Sequence, residues 1–221
     1  MFGEGTPFDL RMHVVRIPVR VIPTFWLVAA YLGWNPDRLD LVGVWMLCMF
    51  FSILIHELGH ALTAEAFGYE TDITLWHFGG FARFNPGFHF PPYQSFLITL
   101  AGPFAGFALA ALTFLVWLGL EFQGMADNEF VSTAIMDLLY INIFWGLFNL
   151  LPVIPLDGGR LLEATLGLCG VRAATDWALK VSLVVGALTA YGCFQIGLAG
   201  MGILLALMAL ESFQHLQARR W

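Results

Sequence analysis

The stretch Phe51-Ser-Ile-Leu-Ile-His56-Glu57-Leu58-Gly59-His60-Ala61 lies inside a run, 41–67, that is otherwise almost wholly apolar. A run of that length and composition reads as a helix able to cross a bilayer. On a helix His56 and His60 are i and i+4, so their imidazoles leave one face about one turn apart. That spacing lets both ring nitrogens reach a single Zn²⁺ ion. Glu57 then lies beside the metal but poorly placed to ligate with the two histidines. It is placed instead to take a proton from water there and later pass it to a leaving amine. Ionisable groups crowded on a spanning helix are expensive unless buried and used. The competing reading is a hydrogen-bonded polar patch between helices.

Composition supplies the surroundings. The chain has 221 residues, 59% hydrophobic and 12% charged. A soluble domain averages about 45–50% apolar and about 25% charged residues. Disordered, fibrous and ordinary soluble chains are thereby excluded. The net charge of −6 argues against a nucleic-acid partner, which calls for a basic stripe. Cys48, Cys169 and Cys193 are far apart, so neither a disulfide framework nor a thiolate metal cluster follows.

The fold class expected is an all-α polytopic membrane protein with about six transmembrane helices. The candidate spans are 21–34, 41–67, 95–120, 131–151, 176–197 and 198–213, and the first is short for a crossing. Residues 1–20 hold three arginines and no apolar core ahead of them, unlike a signal peptide. With the N-terminus in the cytoplasm and six crossings, nine of the ten basic residues fall on the cytoplasmic side, and Arg38 alone lies outside. That asymmetry follows the positive-inside rule and puts both termini in the cytoplasm. Three parts are expected. Residues 1–40 form an N-terminal segment with the first span, 41–168 a catalytic core with a β-hairpin near 68–84, and 169–221 a C-terminal pair of spans with a tail. No segment is long enough to hold an inserted soluble module, so any such module is expected on another protein.

Two histidines do not complete a catalytic zinc site, which takes a third protein ligand and leaves one position for water. The candidates are Asp137, Asp157, Glu163, His77 and His89. Asp157 follows Asn149-Leu-Leu-Pro152-Val-Ile-Pro155-Leu156 and precedes Gly158-Gly159. Two prolines and two glycines break the helix there. Broken backbone at membrane depth is tolerated only inside protein or along a wet cavity. Depth agrees: fifteen residues beyond position 41, His56 lies about 22 Å into a core of about 30 Å. The span from 131 reaches Asn149–Pro152 at a similar level. Asp137 lies about 9 Å below the outer surface, on the wrong side for this metal.

These residues together resemble the site-2 protease family of intramembrane zinc metalloproteases. The hallmarks of that family are HExxH on one spanning helix and N-x-x-P-x-x-x-L-D-G on a later one. Here they read His56-Glu-Leu-Gly-His60 and Asn149-Leu-Leu-Pro152-Val-Ile-Pro-Leu156-Asp157-Gly158. The resemblance covers about 41–168 and implies a three-helix catalytic core, His56, His60 and Asp157 as zinc ligands, and Glu57 as the base. Ala101-Gly102-Pro103 and Phe78-Gly79-Gly80-Phe81 are similar to further family segments. Gly106 stands where the family often has Asn. The chain looks like a minimal form lacking the PDZ insertion and the nucleotide-sensing tail.

The remaining polar residues have two readings each. Residues 68–84 alternate about Gly79-Gly80, which suits a two-residue type I′ hairpin turn. Its edge would hold an unwound substrate by strand addition, with Gly79 and Gly80 in contact; the plainer reading is a plug. Asn149 would donate to a substrate carbonyl or the developing oxyanion. Asn142, on the same helix face, is read as an interhelical hydrogen bond. Asp137 is read as protonated or bonded to another helix, and Arg160 as a partner of Glu163 at i, i+3. His77 and His89 are read as hydrogen-bonded or solvated.

The function expected is cleavage of transmembrane segments by zinc-activated water, with one Zn²⁺ per chain. The implied partners are single-span membrane-protein substrates, the lipid bilayer and a separate regulatory membrane protein. The first and last two spans are the candidate gate, and a bacterial-type cell membrane is the expected location. The alternative is a catalytically inactive relative, or a zinc-binding membrane sensor or transporter. Transport predicts ligands spread over both sides of the membrane, whereas here they gather on one.

Overall fold

The computed structural model describes residues 6–77, 79–85, 90–122 and 128–219. His89, Phe78 and Arg220 therefore lie outside the described residues. The order of elements is β1 (Leu10–Val14), β2 (Ile17–Val21), α1 (Pro23–Leu32), α2 (Leu39–Ala66), β3 (Thr71–Trp76), β4 (Gly79–Phe84), α3 (Pro92–Phe122), α4 (Glu129–Asn149), α5 (Asp157–Leu168), α6 (Ala174–Gln195) and α7 (Ala199–Ala218). Five of these, α2, α3, α4, α6 and α7, are long and apolar enough to cross a membrane. The six spans expected become these five plus α1. At 10 residues α1 rises about 15 Å, half a hydrocarbon core. It stops at Gly33, where an added Cβ would stand 2.2 Å from the Trp45 ring.

The chain divides into two compact units, Met1–Phe88 with Ala101–Gly146, and His89–Leu100 with Leu147–Trp221. The first unit holds a four-stranded sheet in the order β1-β2-β3-β4. The hairpin expected near 68–84 is only half of it. β2 lies parallel to β3, with Val19 opposite Ile73 and Val21 opposite Leu75. Parallel neighbours need a long crossover, here α1 and α2. Ile17, Val19, Val21, Ile73 and Leu75 are fully buried in one cluster with Phe25, Ala29, Phe50 and Ile53. The sheet therefore roofs the end of α2 that carries the two histidines.

The β3–β4 register corrects the expected turn. Trp76 pairs with Gly79 and Leu75 with Gly80. The turn thus falls before Gly79, and the two glycines open β4. Gly79 has φ +122°, a conformation other residues rarely take, and its missing Cβ leaves room for the Trp145 ring, 2.7 Å from where that atom would be. Across the hairpin Arg83 donates to Asp72.

Helix contacts complete this unit. Gly59 brings α2 against α3, since a Cβ there would lie 2.4 Å from the Ala101 carbonyl oxygen. Asn142 on α4 donates to Ser52 Oγ on α2 at 2.8 Å, the interhelical bond expected of it, and to the Leu138 carbonyl. Arg38, ahead of α2, donates to Glu129 and Asp40. The Glu129 hydrogen bond, then that of Asp40, raises its pKa above the ordinary guanidinium value.

In the second unit α4 ends at Asn149, and residues 150–156 run without regular structure into α5. The glycines there are dictated by close approach. A Cβ on Gly158 would stand 2.2 Å from the Leu150 carbonyl oxygen, and one on Gly159 would stand 2.6 Å from the Ile154 nitrogen. α6 and α7 form a hairpin that turns at Gly197, φ +80°. Gly186 on α6 meets Ala209 of α7 and Val153 of the irregular segment.

Candidate metal centre

α2 carries three of the expected site residues within five positions, and all are buried: His56 is 3% exposed, Glu57 5% and His60 8%. Polar groups this deep need partners. The two imidazoles turn toward each other, with Nε2 to Nε2 at 3.2 Å and rings near perpendicular. Two nitrogens bound to one tetrahedral zinc at about 2.0–2.1 Å each stand roughly 3.3 Å apart. The spacing of the pair therefore fits a shared zinc ion.

Glycines of neighbouring elements shape the space around these side chains. A Cβ on Gly102 of α3 would sit 2.2 Å from His60 Nε2. One on Gly80 of β4 would sit 2.5 Å from Glu57 Cγ and 2.9 Å from its Oε1. Gly106, one helical turn beyond Gly102, leaves an opening whose nearest atoms are Asn142 Oδ1 at 3.6 Å and His56 Nδ1 at 3.9 Å. A side chain at 80 would displace Glu57, and one at 102 would displace His60. These close approaches are the parts of the site that sequence reasoning missed. Gly102 stands in the sequence only within a family-like segment, and Gly80 reads there as a turn and substrate-contact residue; neither reading discloses the side chain it faces.

The other candidates are placed as follows. Asp157 is the first residue of α5, in the second unit, half-buried and preceded by Leu156 as N-cap. A carboxylate in a first helical turn is favoured by the helix dipole. Asn149 is the last residue of α4 and is buried. His77 pairs through Nδ1 with the Thr24 hydroxyl at 3.3 Å, as a hydrogen-bonded histidine should. Asp137 is half-buried in α4. Glu163 accepts from Thr175 Oγ1 at 2.6 Å, and no ion pair joins it to the exposed Arg160 among the described residues. The α5–α6 connection brings Thr175 within reach of Glu163, so the i, i+3 pairing expected there gives way to a tertiary one.

Known proteins resemble the chain throughout. A zinc metalloprotease of Methanocaldococcus jannaschii, MJ0392, is 31% identical over 208 residues, 92% of this chain and 58% of its own. Stage IV sporulation protein FB of Bacillus subtilis is 31% identical over 147 residues, 66% of this chain and 46% of its own. The Synechocystis protein sll0528 is 34% identical over 175 residues, 78% of this chain and 42% of its own. The chain thus spans about half the length of these relatives. The solved structure of the site-2 protease from Methanocaldococcus jannaschii superposes with a TM-score of 0.58 at 25% identity, covering 96% of this chain and 94% of that one. The family model of Peptidase family M50 matches residues 44–136 and 122–192, an extent that takes in the histidine pair, the irregular segment and Asp157, and the chain therefore belongs to the M50, or site-2 protease, family of zinc metalloproteases.

Proposed function

We propose that the chain is an intramembrane zinc endopeptidase that cuts spanning segments of membrane-protein substrates, with His56, His60 and Asp157 as metal ligands and Glu57 as general base. The observation that carries this reading is the convergence of two buried imidazole nitrogens at 3.2 Å beside a buried carboxylate on one helix. Asp157 is assigned as the third ligand from its place in the LDG motif, at a helix break with the backbone packed around glycines. Zinc bound there would polarise the scissile carbonyl and lower the pKa of water toward about 7.

The chain's own residues supply the rest. Glu57 takes the proton of the attacking water and returns it to the leaving nitrogen. Its burial keeps that exchange away from bulk solvent. Asn149 donates a hydrogen bond to the substrate carbonyl oxygen. A helical substrate hides its amides in its own hydrogen bonds, so it must be unwound before it is cut. β4 is an edge strand whose first residues, Gly79 and Gly80, start beside Glu57. A substrate strand added to that edge would pass the base. The sheet and the one-sided basic residues support a topology with both termini on the cytoplasmic side of a bacterial-type cell membrane. A separate membrane protein is the natural source of regulation.

The test is Glu57→Gln in the full chain, with zinc content measured alongside cleavage of a single-span membrane protein. One zinc per chain with cleavage abolished is expected. Normal cutting by that variant removes Glu57 from the mechanism. Undiminished zinc affinity in Asp157→Ala removes Asp157 from the ligand set.

A further inference from the structure

Residues 150–156 connect α4 to α5 and end at Asp157, so whatever fixes their backbone fixes the start of α5. Buried backbone N–H groups must each find an acceptor. Pro152 and Pro155 have none to place. Leu150 N–H donates to Leu147, Leu151 to Phe148, Val153 to Leu151 and Leu156 to Val153, all through local carbonyls. Ile154 is the exception: its N–H donates to Ser182 Oγ on α6 at 2.8 Å, 28 residues away in sequence.

That hydroxyl belongs to a buried chain. Ser182 Oγ lies 2.7 Å from Ser212 Oγ, and Ser212 donates to the Met208 carbonyl at 3.0 Å. Since the Ser212 proton goes to Met208, the Ser182 proton goes to Ser212. The direction is therefore Ile154 N–H to Ser182, Ser182 to Ser212, and Ser212 to Met208, with each hydroxyl donating once and accepting once. Ser182 is 0% exposed and Ser212 1%, so water does not substitute for either. Serine in a spanning helix commonly bonds back to its own helix. Ser212 does so, whereas Ser182 accepts from the irregular segment. Gly186, one turn along α6, meets Val153 on the same side.

We propose that Ser182, seconded by Ser212, is a positioning residue for Asp157: the α6–α7 hairpin pins the Ile154 peptide and thereby sets the metal-ligating carboxylate. The inference rests on the assignment of Asp157 as a ligand. It gives the last two helices a task in the site itself. Removing the Ser182 hydroxyl leaves the Ile154 N–H buried and unpaired, which frees the segment to move toward another acceptor. Residues that orient a ligand typically contribute about 10–100-fold to metal affinity.

The test is a double-mutant cycle on the full chain in detergent, reading equilibrium Zn²⁺ affinity by competition with a chelator. Ser182→Ala is expected to weaken Zn²⁺ binding about tenfold, yet to have no effect in an Asp157→Ala background. A fall of equal size in both backgrounds means general loosening and overturns the proposal. An affinity within twofold of the parent for Ser182→Ala, while Asp157→Ala is weakened, also overturns it. Unchanged affinity in Asp157→Ala alone is a different failure, that of the ligand assignment. If Ser182→Ala does not fold, Ser212→Ala is read in the same cycle. It keeps the Ile154 bond but deprives Ser182 of its acceptor, and a smaller shift, again absent without Asp157, is expected.

Discussion

Gly80 and Glu57 are in contact such that no side chain fits at position 80: a Cβ there would lie 2.5 Å from Glu57 Cγ. Glu57, the proposed general base, is thus walled by the backbone of an edge strand. Gly80→Ala must move either the carboxylate or β4. A displacement near 1 Å at a reacting group lowers turnover by about 100-fold. The variant is expected to keep its zinc, because the three atoms nearest such a Cβ all belong to Glu57, and to lose cleavage of a membrane substrate by about that factor. Turnover equal to the parent's, with the fold intact by circular dichroism, refutes the idea that β4 sets the base.

Gly102 stands in the same relation to His60, with 2.2 Å between a would-be Cβ and Nε2. Helix propensity alone favours Gly102→Ala by about 1 kcal/mol. The contact opposes this, since the blocked atom is the nitrogen assigned to the metal. Gly102→Ala is therefore expected to weaken zinc binding by at least about tenfold, even if the metal-free protein melts no lower than the parent. Chelator competition and a melting curve on the same sample separate the two effects. A Zn²⁺ affinity within twofold of the parent's would mean that His60 turns aside at no loss.

The contrast between these glycines and the histidine pair explains what the sequence could disclose. His56 and His60 were readable because i, i+4 spacing on a helix is a local fact, as was the helix break ahead of Asp157 with its prolines. Gly79-Gly80 looked like a hairpin turn because turn propensity is also local. The register instead follows from Trp145 and Glu57 filling the space beside those glycines, 66 and 23 positions away in the chain. β1 and β2 did carry a local signal, since Leu10, Met12 and Val14 alternate with Arg11 and His13, and Ile17, Val19 and Val21 with Pro18 and Arg20. What is not local is their partner: Val19 and Val21 meet Ile73 and Leu75 across a long crossover. Ser182 and Ser212 gave no sequence signal, since a lone serine in an apolar helix is ordinary.

Asn142 uses both amide protons in the protein interior, one on Ser52 and one on Leu138. The Ser52 bond joins α4 to α2 one turn before His56. Interhelical hydrogen bonds within membranes couple by about 0.6 kcal/mol on average and about 1.7 at most. A cycle of Asn142→Ala and Ser52→Ala, read by unfolding in detergent, is expected to give a coupling in that range. Coupling near zero would mean that Asn142 re-pairs within its own helix and that the α2–α4 contact rests on packing alone.

Val15 is the one described non-glycine residue with positive φ, at +58°. It occupies the first of the two positions between β1 and β2, since Val14 pairs with Ile17. A β-branched side chain is poorly tolerated there. Arg16, the second position, does not share the positive φ, so the turn has the sign pattern of a II′ connection, which takes Gly first. The Val15 side chain is 77% exposed, so little burial is lost on removing it. Val15→Gly is expected to stabilise the first unit by about 1 kcal/mol, the usual penalty of a residue held in the left-handed region, less the few tenths that glycine loses through added freedom when unfolded. Thermal unfolding of the zinc-loaded protein checks this, with zinc affinity unchanged because the β1–β2 turn belongs to the opposite edge of the sheet from β4, the strand beside Glu57. A lower melting temperature would show that Val15 makes a contact, with lipid or with a partner, that outweighs its strained backbone.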